Sequence, residues 1–576
     1  MNDRACLWLD GPWFFQIDRD EKGEERGYHL PSYQFADWLE VQVPSNWDCY
    51  LPGLFGYAGH AWYRRTFQAD PAWRGRRLHL RFEGANYETT VWLNGRLAGS
   101  HAGGFDPFAF DVTDLVDWGG PNTLAVRVDN WPRLGRVPNS YAGWWNYGGL
   151  YRSVKLLSLP PVRIADVFVR AEPGHDAVGA PLWIDVTVAN DGSGPVEVKV
   201  GAEVTLDGEM APACGDLSDA ALRVPAGATA RVSLAGHIGA ARLWSPEAPN
   251  LYTLHVTLGQ GQTTLDAQEV AFGVRRFAVR GTQLLLNGEP IILSGFNRHE
   301  EYAGTGRADP GGVLEADLRL IKELGGNMVR MHYQAHPDLY DLADRLGLLV
   351  FAEIPTWGVG NKDVSELTDP AVLQTAETML RTLIGDLKNH PSVVIWSIGN
   401  ECATNRDEAR PFFAHLAGVA RSLDTSRPIA YVGMFGPGER CYDLVDLPCT
   451  NQYFGRRFAE FGRRLDDTHA LAPDKPLLVA EFGHESVLGL HGEGYGSEEE
   501  HAQVLEGKWQ EIRKREYVPG GLVWCLADYW HMPMGPDFRW LNRLYFCHGA
   551  ASLDRRPKAA VEATRRMWKQ QARMVR

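Results

Sequence analysis

Two glutamates stand at the ends of strongly apolar segments, where a carboxylate is costly to bury without a purpose. Glu401 closes the stretch "NHPSVVIWSIGNE", directly after Gly399 and Asn400, and Glu481 lies at the end of "PLLVAE". Two such groups can divide acid–base work, because one can stay protonated as a proton donor while the other stays ionised as a nucleophile. A single acid of this kind more often caps a helix or pairs with an arginine, but two in matching positions indicate chemistry.

Both glutamates fall in a region where apolar runs alternate with helix-patterned segments of ten or more residues, which is typical of βα units. Eight strands are predicted between residues 274 and 576, and they are "PIILSGF", "MVRMHY", "LLVFAEIP", "VVIWSIGNE", "PIAYVGM", "LPCTNQYF", "PLLVAEFG" and "GGLVWCLADY". Eight strands in about 300 residues predict a (β/α)₈ TIM barrel. A doubly wound open sheet is the alternative, but no glycine-rich phosphate motif follows any strand.

The barrel prediction explains the position of the two acids. Barrel enzymes carry their reacting groups at the C-terminal ends of the strands. Glu401 ends the fourth predicted strand and Glu481 the seventh, so the two side chains would face each other across the mouth of the barrel. Cleavage of a glycosidic bond needs such a pair of carboxyl groups on either side of the substrate bond.

The region before the barrel reads as two β-domains. Short alternating runs separated by Gly, Asn and Pro turns predict a jelly-roll β-sandwich over residues 1–160, with "LNGR" as a tight turn. A smaller set of strands predicts an immunoglobulin-like β-sandwich over residues 161–273. The predicted fold class is therefore a multidomain β and α/β protein, with the catalytic barrel over residues 274–576.

Composition narrows the classes of partner. The chain has 576 residues and a net charge of -14, which argues against a nucleic-acid partner. No apolar stretch approaches the roughly 20 residues that span a bilayer, so no membrane partner is expected. The eight cysteines are scattered without a C-x-x-C pair, and the N-terminus lacks a signal-peptide pattern, which together predict a cytoplasmic protein. The 20 tryptophans provide flat apolar faces for stacking or for large sandwich cores.

Several stretches together resemble glycoside hydrolase family 2, which contains β-galactosidases, β-glucuronidases and β-mannosidases. They run in order along the chain and include "VWLNGRLAGSHAGGFDPFAFDVT", "NYGGLYRSV", "LWSPEAPNLYTL", "LLNGEPIILSGFNRHE", "NHPSVVIWSIGNE" and "PLLVAEFG". The resemblance implies a retaining exo-β-glycosidase that acts on a carbohydrate substrate, with Glu401 as general acid/base and Glu481 as nucleophile. For retention, the two carboxyl groups should lie roughly 5 Å apart. "NYGGLYR" and "NQYFG" are most similar to the β-glucuronidases.

The resemblance also implies a set of substrate-binding and supporting residues. Asn400 would hold the sugar 2-hydroxyl, Tyr453 would donate a hydrogen bond to the nucleophile, and Trp524 would form one wall of the sugar site. The remaining implied residues are two pocket histidines and a supporting arginine, namely His299, His332 and Arg330. For each of these the structural alternative is a satisfied core residue.

Two departures from the family concern the sugar. The Asn-x-Lys element with which glucuronidases bind the sugar carboxylate is absent, because Asn542 is followed by Arg543 and Leu544. Arg539 or Arg543 could bind a carboxylate in its place, as a bidentate partner. Gly143 falls where the family commonly has an aspartate that reaches into the pocket. A β-galactosidase or another neutral-sugar β-glycosidase is therefore the alternative, followed by a carbohydrate-binding protein without catalysis.

No constellation of metal ligands is visible, so neither a catalytic metal nor another cofactor is predicted. Family members commonly form dimers or tetramers, and the resemblance therefore implies a homo-oligomer.

Overall fold

The computed structural model describes residues 4–139, 143–174, 179–211, 213–214, 217, 220–453, 458–532 and 544–574. Contacts group the chain into two compact units. The sandwich unit comprises Met1–Trp131, Gly148–Arg275 and Lys388–Pro391, and the barrel unit comprises Pro132–Tyr147, Arg276–Leu387 and Ser392–Arg576. The segment Pro132–Tyr147, although it lies within the first predicted domain, therefore belongs with the barrel.

The first part of the sandwich unit consists of two antiparallel sheets that enclose an aromatic-rich core. One sheet has the order β1-β10-β5-β8 and the other β3-β2-β4-β9-β6-β7. The strands are β1 (Ala5–Trp8), β2 (Gly11–Asp18), β3 (Leu39–Val43), β4 (His60–Phe67), β5 (Arg77–Phe82), β6 (Glu88–Leu93), β7 (Arg96–Ala102), β8 (Phe108–Asp111), β9 (Asn122–Asp129) and β10 (Val154–Leu159). Asn94 and Gly95 join β6 to β7 with φ of 54° and 77°, the left-handed pair that a two-residue hairpin turn of this kind requires.

The second part of the sandwich unit is a smaller β-sandwich. Its sheets have the orders β11-β12-β17-β15 and β14-β13-β18-β19, with β16 paired to β13. The strands are β11 (Val162–Ala171), β12 (Ala180–Asn190), β13 (Val196–Leu206), β14 (Glu209–Met210), β15 (Ala213–Cys214), β16 (Ala220–Val224), β17 (Ala228–Ile238), β18 (Tyr252–Gln260) and β19 (Thr263–Phe272). Alternate residues of β13 and β18, such as Val204 and Leu254, are fully buried between the sheets, as the period-2 pattern of the sequence predicts.

The barrel unit contains a closed ring of eight parallel strands, preceded by a small three-stranded sheet. That sheet consists of β20 (Phe277–Arg280), β21 (Gln283–Leu286) and β22 (Glu289–Pro290). The barrel strands are β23 (Leu293–Asn297), β24 (Met328–Arg330), β25 (Leu349–Glu353), β26 (Val393–Asn400), β27 (Ile429–Gly433), β28 (Leu447–Asn451), β29 (Leu478–Phe482) and β30 (Gly520–Val523). All residues of these strands are buried, which explains their continuous apolar character.

Helices follow most of the barrel strands. They are α1 (Val313–Glu323), α2 (Pro337–Leu346), α3 (Pro370–Leu387), α4 (Ala409–Leu423), α5 (Phe458–His469), α6 (Glu498–Arg513) and α7 (Ala559–Met574). Between β27 and β28, where every residue is described, only two short 3₁₀ turns occur. The Gly436-Pro437-Gly438 sequence in this connection accounts for the missing helix, because these residues do not sustain one. Two short strands, β31 (Tyr529–Trp530) and β32 (Tyr545–Phe546), lie beyond β30.

The structure confirms the predicted fold class, and each of the eight predicted barrel strands corresponds to one strand of the closed ring. The domain boundaries at residues 160 and 273 stay predictions. Within the described part of the chain, no helix is long and apolar enough to cross a membrane.

Candidate active site

Glu401 is held at the end of β26 by a backbone that is unusual in two ways. A Cβ atom on Gly399 would lie 2.7 Å from Oγ1 of Thr356, so only glycine fits this close approach. Glu401 itself has a left-handed backbone with φ of 52°, which is uncommon and unfavourable for a glutamate. Its N–H donates to the carbonyl of Val432 at 2.8 Å. Such backbone strain is typical of residues whose side chains must point in one direction.

The surroundings of the Glu401 side chain favour its protonated form. Burial and the negative charge of Glu481 together raise the pKa of Glu401 to about 7. Nδ2 of Asn451, at the end of β28, donates to Oε1 of Glu401 at 2.8 Å and opposes this shift. A carboxyl group with such a pKa can donate a proton near neutral pH and accept it back later in the same reaction.

Glu481, on β29, is surrounded by hydrogen-bond donors. Arg330 donates to its Oε1 at 2.8 Å, and the hydroxyl of Tyr453 donates to its Oε2 at 2.7 Å. Nε2 of His332 lies 3.4 Å from Oε1. Glu481 is 4% exposed. Arg330 and His332 from the end of β24 and Tyr453 from the end of β28 therefore hold this carboxylate in one orientation.

Arg330 connects Glu481 to a third strand-end carboxylate, Glu353, on β25. One terminal nitrogen of Arg330 donates to Glu481 and to Asn297, and the other donates to both oxygens of Glu353 at 3.1 and 3.0 Å. Burial by itself would raise the pKa of Glu353, but Arg330 and the hydrogen bond from His332 outweigh it and lower this pKa. Glu353 therefore anchors the arginine as a permanent negative charge and orients it toward the site.

The side-chain amide of Asn400 is oriented by the same network. Its Oδ1 accepts from Arg330 at 2.8 Å and from Nδ2 of Asn451 at 3.1 Å. Its Nδ2 is buried and has no hydrogen-bond partner among the described residues. A buried N–H₂ group without a partner costs free energy unless a ligand oxygen satisfies it, so this atom is a candidate contact for a substrate hydroxyl.

Aromatic rings form a wall beside the two glutamates. Trp524 packs against His299 and His332, with ring centroids 5.3 and 5.1 Å away. Trp144, from the segment Pro132–Tyr147, stacks on His332 at 5.7 Å with an interplanar angle of 19°. Burial and neighbouring positive charges lower the pKa of His299 well below its usual value. Its Nδ1 is 3.1 Å from the hydroxyl of Tyr333, while its Nε2 has no described partner.

The structure brings eight of the residues predicted from the sequence into one network at the C-terminal end of the barrel, namely Glu401, Glu481, Asn400, Arg330, His299, His332, Tyr453 and Trp524. Arg539 and Arg543 lie outside the described residues. Gly143 is described, and a Cβ atom at this position would make an ordinary 3.5 Å contact with the ring of Trp357. The position therefore has room for a side chain that this protein lacks.

Sequence reasoning missed several members of the network, among them Glu353, Asn451 and Trp144. Glu353 ends the third barrel strand in the same way as Glu401 ends the fourth, so its position in the sequence could have identified it as a site residue. Asn451 likewise ends the sixth strand. Trp144 gave no such indication, because it comes from a segment about 150 residues before the barrel whose packing the local sequence does not reveal.

A (β/α)₈ barrel with one carboxyl group at the end of its fourth strand and one at the end of its seventh has the layout of a glycoside hydrolase. Three family profiles agree with this class. "Glycosyl hydrolases family 2, sugar binding domain" matches residues 7–160, "Glycosyl hydrolases family 2" matches residues 162–275, and "Glycosyl hydrolases family 2, TIM barrel domain" matches residues 277–572. The chain belongs to glycosyl hydrolase family 2.

The relatives of this chain include several β-glucuronidases. The β-glucuronidase of Paenibacillus borealis is 31% identical over 97% of this chain and 96% of its own length. That of Homo sapiens is 28% identical over 98% of this chain and 91% of its own. The crystal structure of the β-glucuronidase of Ruminococcus gnavus matches with a TM-score of 0.88 and 27% identity, over 99% of this chain and 98% of that one. The chain is an exo-β-glycosidase that resembles these enzymes.

Proposed function

We propose that the protein removes terminal β-D-glucuronic acid from glycosides, with retention of configuration at the anomeric carbon. The observation that carries the mechanism is the contrast between Glu481, which accepts a hydrogen bond from Arg330, and Glu401, whose pKa is raised to about 7. The sugar is supported by the β-glucuronidases to which the chain is similar, one of which has been solved in complex with D-glucuronic acid.

In the first step, Glu401 donates its proton to the glycosidic oxygen while Glu481 attacks the anomeric carbon. The bond from this carbon to the leaving oxygen breaks, the aglycone departs as an alcohol, and an ester joins the sugar to Glu481. Loss of negative charge on Glu481 lowers the pKa of Glu401 at this point, because that charge is one of the two causes of its shift.

In the second step, the deprotonated Glu401 takes a proton from water, whose oxygen attacks the anomeric carbon from the face that the aglycone left. The ester bond breaks, the free sugar forms with its original configuration, and Glu481 regains its charge. The Nδ2 group of Asn400, which has no described partner, can donate to the sugar 2-hydroxyl as positive charge develops at the ring in both steps.

The roles of the two glutamates are tested with Glu481→Ala and Glu401→Ala on paired substrates. Glu481→Ala is expected to lower kcat by at least about 10³-fold on every substrate, because the nucleophile is lost. Glu401→Ala is expected to lose about 10²- to 10⁴-fold on an alkyl glycoside and much less on a dinitrophenyl glycoside, which needs little protonation. Equal losses by the two variants on the activated substrate would contradict the assignment.

The sugar is tested with nitrophenyl β-glycosides of glucuronic acid, galactose, glucose and xylose. We expect the glucuronide to have the highest kcat/KM. We further propose that Arg539 or Arg543 binds the carboxylate, so that Arg539→Ala or Arg543→Ala should abolish this preference, with Leu544→Ala as the neighbouring control. Unchanged preference in both arginine variants would remove this part of the proposal. A galactoside preference would support the neutral-sugar alternative, for which the absence of the Asn-x-Lys element is the reason.

We also propose that the enzyme is a homo-oligomer and that it is located in the cytoplasm. The first proposal is supported by the oligomers that family members commonly form, and the second by eight cysteines without a C-x-x-C pair. Light scattering of the purified protein and fractionation of the source cells test these two statements. A monomer at micromolar concentration would contradict the proposed oligomer, and recovery outside the cytoplasm would contradict the proposed location.

A further inference from the structure

Lys508, on α6, is a buried lysine with an unusual set of partners. It is 2% exposed, and its Nζ donates to the backbone carbonyls of Tyr453 at 2.9 Å and Gly483 at 3.1 Å. The ring of Phe461 lies 5.5 Å from the same nitrogen. No carboxylate of the described residues accepts a hydrogen bond from it, and burial lowers its pKa to about 8. Burying a lysine ammonium group without a carboxylate partner costs free energy. The two hydrogen bonds to backbone carbonyls therefore indicate a specific role for this side chain.

The two carbonyls belong to the chain segments that continue β28 and β29 beyond the barrel ladder. The ladder pairs Asn451 with Glu481, and one further backbone hydrogen bond runs from the N–H of Gln452 to the carbonyl of Glu481 at 2.8 Å. Beyond this hydrogen bond, the Nζ group of Lys508 bridges the two segments by donating to one carbonyl of each. It thus completes the connection between them where the backbone pairing ends.

The segments joined by Lys508 carry the two partners of one hydrogen bond in the active site. Tyr453 donates its hydroxyl to Oε2 of Glu481 at 2.7 Å, and Gly483 lies two residues after Glu481. A Cβ atom on Gly483 would be 2.4 Å from the carbonyl of Trp524, so this segment is also tightly confined on its other side. A shift of the Tyr453 backbone would move its ring relative to the carboxylate, because the ring is attached to that backbone.

We propose that Lys508 is a positioning residue for the hydrolytic reaction, fixing the carbonyls of Tyr453 and Gly483 and thereby holding the Tyr453 hydroxyl on Glu481. The inference rests on the proposed role of Glu481 as nucleophile. Lys508 acts through Tyr453 and does not touch the substrate, so its effect belongs to the chemical steps. Small displacements of a reacting group are costly, and a shift of about 1 Å can lower a rate 10²-fold.

The test is a double-mutant cycle of Lys508→Met and Tyr453→Phe, measured on whichever nitrophenyl β-glycoside the wild type hydrolyses best. Lys508→Met keeps the length of the side chain and removes both donors. We expect kcat to fall roughly 10- to 100-fold with KM little changed. In the Tyr453→Phe background, Lys508→Met should cause little further loss, because the bond it supports is already absent. A loss in kcat that multiplies with that of Tyr453→Phe, or no loss at all, would overturn the proposal.

Two controls separate positioning from general destabilisation. Lys558→Met removes another buried lysine, which donates to the carbonyl of Ser486 and to Asp528 at 2.7 Å each, and its effect on kcat should multiply with that of Tyr453→Phe. Gln510→Met, on the exposed face of α6, should leave kcat unchanged. If Lys508→Met does not fold, the same cycle is measured with Lys508→Gln, which retains an N–H donor, and multiplying losses again overturn the proposal. A wrong assignment of Glu481 gives a different result from a wrong role for Lys508. In the first case Glu481→Ala would retain turnover, whereas the double-mutant cycle of Lys508 and Tyr453 can still be measured on the activity of the wild type.

Discussion

Glu401 and Glu481 have the same side chain and opposite proposed roles, and their hydrogen-bond partners differ. Glu481 accepts one hydrogen bond from the Arg330 guanidinium and another from the Tyr453 hydroxyl. Glu401 accepts hydrogen bonds from the neutral side chains of Asn451 and Trp357, and burial and the charge of Glu481 raise its pKa to about 7. The cationic donor on Glu481 and the neutral donors on Glu401 therefore fit the proposed roles of nucleophile and general acid.

The raised pKa of Glu401 predicts a pH-dependent cost to stability. The folded protein holds this proton more tightly than the unfolded chain, so the cost is absent below the ordinary value of 4.5 and grows as pH rises to about 7. Glu401→Gln, which cannot ionise, should raise the free energy of unfolding by roughly 2–3 kcal/mol at pH 8 and much less at pH 5. Urea unfolding at both pH values measures the difference. Glu493→Gln, at an exposed position, is the control, and an equal gain at both pH values would contradict the prediction.

At the scale of the elements, β26 shows how a fully buried strand delivers a polar end. Its residues from Val393 to Ile398 are apolar or small and buried, and its pairing with β27 departs from regular register between Ser397 and Asn400. Gly399 makes that departure possible, because its missing side chain allows the segment around Thr356 to approach. The apolar run thus fixes the position of Asn400 and Glu401 from one side, and Arg330 and Asn451 fix their side chains from the other.

Gly399→Ala should therefore be destabilising and should lower activity. The added methyl group would lie 2.7 Å from Oγ1 of Thr356 and 3.0 Å from the ring of Phe413. We expect a loss of about 1–3 kcal/mol in the free energy of unfolding, from overpacking, and a reduced kcat because Glu401 is displaced. Gly418→Ala is the matched control, since this exposed position in α4 has nothing within 4 Å and should gain about 0.5–1 kcal/mol. Equal changes in the free energy of unfolding and in kcat for the two variants would contradict this interpretation of Gly399.

The sequence predicted the elements better than the contacts between them. All eight barrel strands were recognisable because buried parallel strands are continuous apolar runs, and the strand-end rule then located Glu401 and Glu481. Applied without exception, the same rule would have found Glu353 and Asn451. Lys508 and Trp144 were not accessible in this way. Their roles depend on which distant segment each side chain meets, and neither periodicity nor turn chemistry carries that information.

At the scale of the whole molecule, the described active-site residues all belong to the barrel unit, including Trp144 from Pro132–Tyr147. The chain therefore contributes a segment from the end of its first predicted domain to the same compact unit as its catalytic strands. A chain with two such units need not unfold in one step, and a single melting temperature is then an incomplete description of its stability.

D-glucuronic acid should protect the two units unequally. A ligand stabilises the part of the protein that binds it, by about 2.7 kcal/mol at a concentration of 100 times Kd. Hydrogen exchange followed by mass spectrometry should show slower exchange in peptides from residues 276–387 and 392–453, with residues 162–275 unaffected. Galactose at the same concentration is the control and should protect less. Equal protection of the two regions by D-glucuronic acid would contradict the prediction.

The left-handed backbone of Glu401 has a consequence for attempts to improve the enzyme. Glycine at this position would relieve the backbone strain and remove the buried carboxyl group at once, and asparagine would relieve much of both. A library selected only for heat resistance would thus be enriched in inactive proteins altered at this residue. Selection for heat resistance in this enzyme therefore has to be coupled to selection for turnover in every round, because replacing Glu401, the proposed general acid, would raise stability.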